Sequence, residues 1–143
     1  MRWMTRLALA AACGLLVGVG WLRAEAAVQV RPGWNIPAAA ATETSPLTVT
    51  PAVLAAGRKL YLSKCQRCHG AEGKGDGPDA DSNFVKDMDL RLVSRADENP
   101  DGVVFHKIWS GRVKPKMPAF SEELSREQAW AIVAYVQTLR TEK

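Results

Sequence analysis

The sequence predicts an all-α domain, and three observations carry that prediction. Two segments open with a capping residue followed by proline, Thr50-Pro51 and Asn99-Pro100, a pairing that starts helices because proline lacks only an N–H that the first turn leaves unused. Ser125-Arg126-Glu127-Gln128 reads as a capping box, in which the first and fourth residues satisfy each other's backbone. No segment alternates apolar and polar residues as a half-buried strand would.

The elements follow in order. Met1 to Arg6 carries two arginines and no acid, and Leu7 to Leu22 has no charged side chain, which is the pattern of an export signal. Ala24-Glu25-Ala26 supplies a small-x-small cleavage site, so residues 1–26 are expected to be removed after Ala26. The apolar run is short against the roughly 20 residues of a bilayer span. Retention as a single anchor is the alternative, and only then would the chain meet a membrane. Either outcome puts the remainder outside the cytoplasm, in the periplasm or at the periplasmic face of the inner membrane. Cys13, inside this run, reads as a small apolar filler. From Ala27 to Thr50, three prolines (Pro32, Pro37, Pro46) and the run Ala38 to Ala41 show no helical or alternating period, which predicts an extended linker. Trp34 is the exception there, expected to pack loosely on its own domain.

The organised unit spans residues 51–143. Its first helix places Leu54, Gly57, Leu60, Tyr61, Cys65 and Cys68 on one face. A glycine-rich, acidic loop follows from Gly70 to about Asp81, and the stretch to Ala96 has too little period for more than a loop with one turn. A short second helix carries Val104, Phe105, Ile108 and Trp109 and stops at Gly111. The last helix carries Ala129, Ile132, Val133, Val136 and Leu139 on one face.

A chain of 143 residues, 24% charged and 47% hydrophobic, holds one small domain and excludes a multidomain enzyme. The net charge of +4 falls to +2 once residues 1–26, with three arginines and one glutamate, are gone. So mild a charge gives no case for nucleic-acid binding.

Three cysteines and two histidines limit the chemistry. Cys65-Gln66-Arg67-Cys68-His69 is the attachment sequence of c-type haem. Residues i and i+3 of a helical turn project from one side, so both thiols can form thioethers to one porphyrin, and residue i+4 lies beneath the ring to offer an imidazole to the iron. A thioredoxin-like site would need a βαβ context that the pattern lacks. Zinc would need two more ligands, with only Cys13 and His106 left to supply them. A disulfide would have no use for the adjacent histidine.

For the sixth iron position the candidates are Met88, Met117, His106, Lys114 and Lys116. Met117 is favoured, because Pro115 and Pro118 stiffen an extended loop that could hold its thioether in place, and soft sulfur suits haem iron. Met88 sits among charges and reads as gap-filling or partly exposed. His106 reads as a surface or core-edge residue.

Residues 51–143 resemble a class I monohaem cytochrome c of the bacterial, exported type. The resemblance rests on Gly57 and Tyr61, Cys65 to His69 with Gly70, the Gly73-x-Gly75-Asp76-Gly77-Pro78 loop, Asp89-Leu90, Ile108 to Gly111, Met117-Pro118-Ala119-Phe120 and Tyr135-Val136. It implies a small cytochrome c fold wrapped around one haem c, bound through Cys65 and Cys68, with His69 and Met117 as proximal and distal iron ligands. It implies that the Pro78 carbonyl accepts the other imidazole N–H, and that Gly57 and Tyr61 cross Ile132 and Tyr135 where the first and last helices meet. Trp109 and Trp130 lie outside the family pattern and read as packing residues. The long linker departs from the simplest members.

The expected activity is one-electron transfer between redox partner proteins, with no catalytic residue set. Residues 72–101 hold nine acids and four bases, while residues 102–118 hold four bases (Lys107, Arg112, Lys114, Lys116) and no acid, so a basic face beside Met117 could steer an acidic partner. A fixed haem subunit of a larger oxidoreductase is the alternative. A five-coordinate haem sensor or enzyme is a third reading.

Overall fold

The computed structural model describes residues 33–141, so the export signal or anchor expected in residues 1–26 lies outside the described residues. Among the described residues five α-helices form: α1 (Pro51–Lys64), α2 (Gln66–His69), α3 (Val85–Met88), α4 (Asp101–Ser110) and α5 (Arg126–Thr138), with short 3₁₀ turns at Ala38–Ala41, Ser82–Phe84 and Val93–Arg95. Among the described residues there is no strand; two isolated bridges pair Lys74 with Asp89 and Arg112 with Met117. No described helix is long and apolar enough to cross a membrane.

Each long helix starts where its chemistry requires. Thr50 caps α1 by accepting a hydrogen bond from the Val53 N–H, with Pro51 in the first turn. Ser125 and Gln128 form both bonds of the capping box on α5. For α4 the capping position falls on Pro100, because Asn99 spends its side chain elsewhere: its amide donates to the Arg95 carbonyl and its oxygen accepts from Lys107. The predicted continuous first helix is broken at Cys65 (φ −113°, ψ −32°), which separates α1 from the single turn of α2.

The core is set where α1 crosses α5. A Cβ on Gly57 would stand 2.0 Å from the Ala131 carbonyl oxygen, so only glycine permits this approach. One turn on, the Tyr61 and Tyr135 rings pack at 5.3 Å between centroids. Behind this crossing Phe105 of α4 stacks on Trp130 at 4.4 Å and on Trp109 at 5.5 Å. The two tryptophans thus pack away from the cysteine-bearing turn.

The expected linker is packed rather than extended over its described part. Ala40 is buried, and a Cβ on Gly102 of α4 would meet its carbonyl oxygen at 2.2 Å. Glu43 binds His106 of α4 at 2.7 Å and Arg126 of α5 at 3.3 Å. Small side chains allow the close approach without generating any apolar period, which is why the sequence pattern reads as a linker.

Candidate haem site

A cleft with about 810 Å³ of atom-free space, its open mouth included, lies between α1, α4, α5 and the 85–95 segment. Its apolar walls are Leu90, Leu92, Val104, Ile108, Ile132 and Val136, and Cys65, His69 and Met117 all line it. Met88, His106, Lys114 and Lys116 do not. His106 is turned onto Glu43 instead.

The cysteine turn is held from both sides. Cys65, at the cap of α2, and Cys68, within it, are free thiols; Cys65 lines the cleft, while the Cys68 sulfur lies 3.7 Å from the Asp79 carbonyl oxygen. Burial, and next the charge of Cys68, push the Cys65 thiol up to about 12, so it is a neutral thiol near pH 7. Gly70 ends α2 with φ +78°, where a Cβ would strike Asp76 at 1.9 Å, and its carbonyl accepts a hydrogen bond from the buried Tyr61 hydroxyl at 2.6 Å. Burial also raises the Tyr61 phenol, so it remains a donor. Tyr61 therefore joins the helix crossing to the cysteine turn.

His69 is half-buried, and burial holds its pKa below the ordinary value, with the Met88 hydrogen bond opposing in part. Neutral imidazole is the form that binds metal. Its Nδ1 lies 2.8 Å from the Met88 carbonyl oxygen. A carbonyl only accepts, so Nδ1 carries the proton and Nε2 keeps its lone pair.

This partner corrects the expectation that the Pro78 carbonyl would orient the ring. The 77–79 loop is tied to the other end of α2: the Asp79 N–H donates to the Arg67 carbonyl at 2.7 Å, and Arg67 grips the Asp79 carboxylate at 2.6 and 3.0 Å. Gly77 lies flat on the same turn, where a Cβ would meet the Arg67 oxygen at 2.3 Å. Met88 arrives instead because the Leu90 N–H donates to the Gly73 carbonyl at 2.8 Å, next to the histidine. As the last residue of α3, Met88 has a carbonyl without a helical partner, which the imidazole satisfies.

Met117 stands on a tight hairpin, where Arg112 and Met117 exchange both backbone hydrogen bonds at 2.8 Å. Gly111, at φ +64°, turns the chain from α4 into it. The mouth of the cleft is ringed by Arg95, Lys107, Arg112 and Arg140, with Asp87 and Asp89 as the acids. Of these, Arg95 and Arg140 are isolated polar residues with no motif around them, and the sequence offers no signal for their role; Asn99, which also lines the cleft, reads from the sequence only as a helix cap. Trp34 also lines the cleft, with Arg112 4.4 Å and Lys107 5.1 Å from its ring centre.

These residues suit a haem. Two neighbouring thiols free of any disulfide, a ligating imidazole with its lone pair available and an apolar slot match the porphyrin's two attachment points, iron and ring. Among the described residues no group of three or more His, Cys, Asp or Glu could hold a metal ion. Fold and site together define a small all-α protein built to bind haem covalently. The Cytochrome c family model matches residues 54–140, and the chain belongs to that family. It is a c-type cytochrome, an electron-transfer protein carrying haem c and its iron.

Two relatives give the context. The chain is 32% identical over 83 residues to a thiosulfate dehydrogenase of Allochromatium vinosum, covering 57% of this chain and 30% of that one. It superposes with a TM-score of 0.57 and 31% identity on a chain of the reducing HAO-like protein complex of Kuenenia stuttgartiensis, covering 68% of this chain and 48% of the other. It therefore spans less than half of either relative.

Proposed function

We propose that this chain is an exported one-electron carrier whose haem iron is held between His69 and Met117. The observation that carries this reading is that His69 and Met117 line one apolar cleft, which Met88, His106, Lys114 and Lys116 do not share. When bound, the haem supplies an iron that takes up and returns a single electron. The Met88 carbonyl fixes the imidazole tautomer and turns Nε2 toward the cleft. The Arg112–Met117 hairpin would offer a thioether to the same iron. Leu90, Val104, Ile108, Ile132 and Val136 exclude water, which keeps reorganisation small when charge changes. At the mouth, four cations against two acids suit the two propionate carboxylates of a haem. The basic run Lys107, Arg112, Lys114 and Lys116 supports docking of an acidic redox partner.

The test is the absorption spectrum of the Met117→Ala protein with haem attached. Loss of the sulfur-to-iron charge-transfer band and gain of carbon monoxide binding by the reduced form are expected. An unchanged spectrum refutes Met117 as ligand.

A second reading, a fixed haem subunit of a larger oxidoreductase, is favoured by the relatives, since the chain matches less than half of an enzyme and of a complex component. Fractionation of native cells separates the two: free, processed protein marks the carrier, and co-purification with a larger enzyme marks the subunit.

A further inference from the structure

The family match begins at residue 54, yet a wall of the cleft comes from residue 34. We propose that residues 33–43 form a clamp on the ligand hairpin, with Trp34 as a positioning residue that holds Met117 on the iron through Arg112. This rests on the assignment of Met117 as ligand.

The clamp has a fixed end and a working end. The fixed end is bound to α4 and α5: buried Ala40 fits against Gly102, and Glu43 binds both His106 and Arg126. The 3₁₀ turn Ala38–Ala41 and the preceding Pro37 stiffen the path back to Trp34. At the working end, the Arg112 guanidinium carbon lies 4.4 Å from the Trp34 ring centre and Lys107 Nζ lies 5.1 Å from it, so the indole bridges α4 and the hairpin. Gly33 comes so close to the hairpin that a Cβ there would meet the Lys114 carbonyl oxygen at 3.1 Å.

Arg112 links these contacts to the ligand. Its backbone pairs with that of Met117 in both directions, and its Nε donates to the Pro115 carbonyl at 3.1 Å, so the residue under the indole is also the base of the hairpin. On the other side Met117 packs against the edge of the core cluster, and the Phe120 N–H donates to the Ile108 carbonyl. Without the indole, the hairpin keeps its internal bonds and its contact with Gly33 but loses the ring under Arg112, so it is held less firmly against the cleft. A thioether is a modest iron ligand and does not hold such a hairpin in place alone. Trp34 thus biases the sixth position toward closed ligation and covers one edge of the cleft.

The experiment is imidazole titration of the ferric, haem-loaded protein, because imidazole enters only when Met117 leaves. Cation–π contacts correspond to a factor of roughly 2 to 30 in an equilibrium constant. Trp34→Ala should therefore bind imidazole about tenfold more tightly, with a weakened sulfur-to-iron band. Trp34→Phe, which keeps a ring for Arg112, should stay within about threefold of the parent. Melting followed by circular dichroism checks that both variants are folded. Parental imidazole affinity in Trp34→Ala, or equal weakening in the Phe variant, overturns the clamp. Met117→Ala separates the two ideas: if it loses the band while Trp34→Ala behaves as the parent, only the clamp falls, and if it keeps the parental spectrum, the ligand assignment falls and takes the clamp with it.

Discussion

Replacing Gly57 by alanine tests the helix crossing on which the site is built. Alanine is the better helix former by about 1 kcal/mol, so helix propensity alone predicts a more stable protein. The structure predicts the reverse. The added Cβ would lie 2.0 Å from the Ala131 carbonyl oxygen, 2.7 Å from its carbon and 3.1 Å from the Tyr135 Cβ, whereas ordinary contact begins at 3.4 Å. The obstacle is backbone of α5 and cannot rotate aside, so the helices must part by about 1 Å, a gap that forfeits a quarter to a half of the attraction across it. Overpacking costs typically 1–3 kcal/mol, and a backbone obstacle places this case near ~3 kcal/mol. Subtracting the propensity gain leaves a net loss of about 2 kcal/mol. At about 4–8 °C per kcal/mol for a domain of this size, Tm should fall by roughly 8–16 °C. The assay is thermal unfolding of the haem-loaded protein, followed by circular dichroism in the far ultraviolet. An unchanged or raised Tm would refute the reasoning, since that is what propensity without the clash would give.

Three further outcomes follow from the same geometry. Gly111→Ala combines a positive φ of 64° with a Cβ 2.5 Å from the Met117 oxygen and Ala119 nitrogen; it should cost about 1–3 kcal/mol and also weaken the sulfur-to-iron band, and a spectrum untouched by the loss of stability would contradict the hairpin's role. Ser125→Ala removes the capping box of α5 and should cost about 1 kcal/mol with the haem spectrum unchanged, as a urea titration read beside the spectrum would reveal. Asp89 governs part of the acid limb. Burial would raise its carboxyl, but the side-chain and backbone hydrogen bonds and charge of Arg91 outweigh this and hold it below the usual carboxylate range. A value lower in the folded than in the unfolded state gives stability that is present above the unfolded pKa of about 4 and is lost as pH falls through the folded value. Asp89→Asn should therefore flatten the decline of Tm below about pH 4, and parallel acid limbs for parent and variant would exclude Asp89 as a source.

The helices were legible because their start signals are local. Thr50, Ser125 and Gly111 act within a few residues of themselves, and the structure uses all three as capping or turning positions. Cys65, Cys68 and His69 were legible for the same reason, all three falling within the five consecutive positions of one motif. What escaped is set by contacts between distant segments. The Met88 carbonyl carries no side-chain signature, and it reaches His69 only because Leu90 bonds back to Gly73. The 33–50 segment reads as a linker because it packs through alanine and glycine backbones, and hydrophobic periodicity is blind to such contacts. Arg140, near the end of the chain, reaches the cleft mouth by bonding the Asn99 carbonyl at 2.6 Å, a pairing across 41 positions.

Core and cleft are two faces of the same side chains. Tyr61, Ile108, Ile132 and Val136 belong to the buried cluster and also line the haem cleft. A change that moves α5 against α1 therefore moves Ile132 and Val136 relative to the haem pocket, so stability and cofactor environment cannot be adjusted independently there. A domain this small has little core to spare for such adjustment. The strap is different, since it reaches the cleft through Trp34 while its anchorage, Ala40 and Glu43, lies on the outer side of α4 among residues that do not line the cleft. Substitutions in residues 33–43 can thus alter how firmly the Met117 hairpin is held with small cost to the helix crossing. Freedom to tune this haem site would therefore lie in residues 33–43, outside residues 54–140 that the family pattern covers.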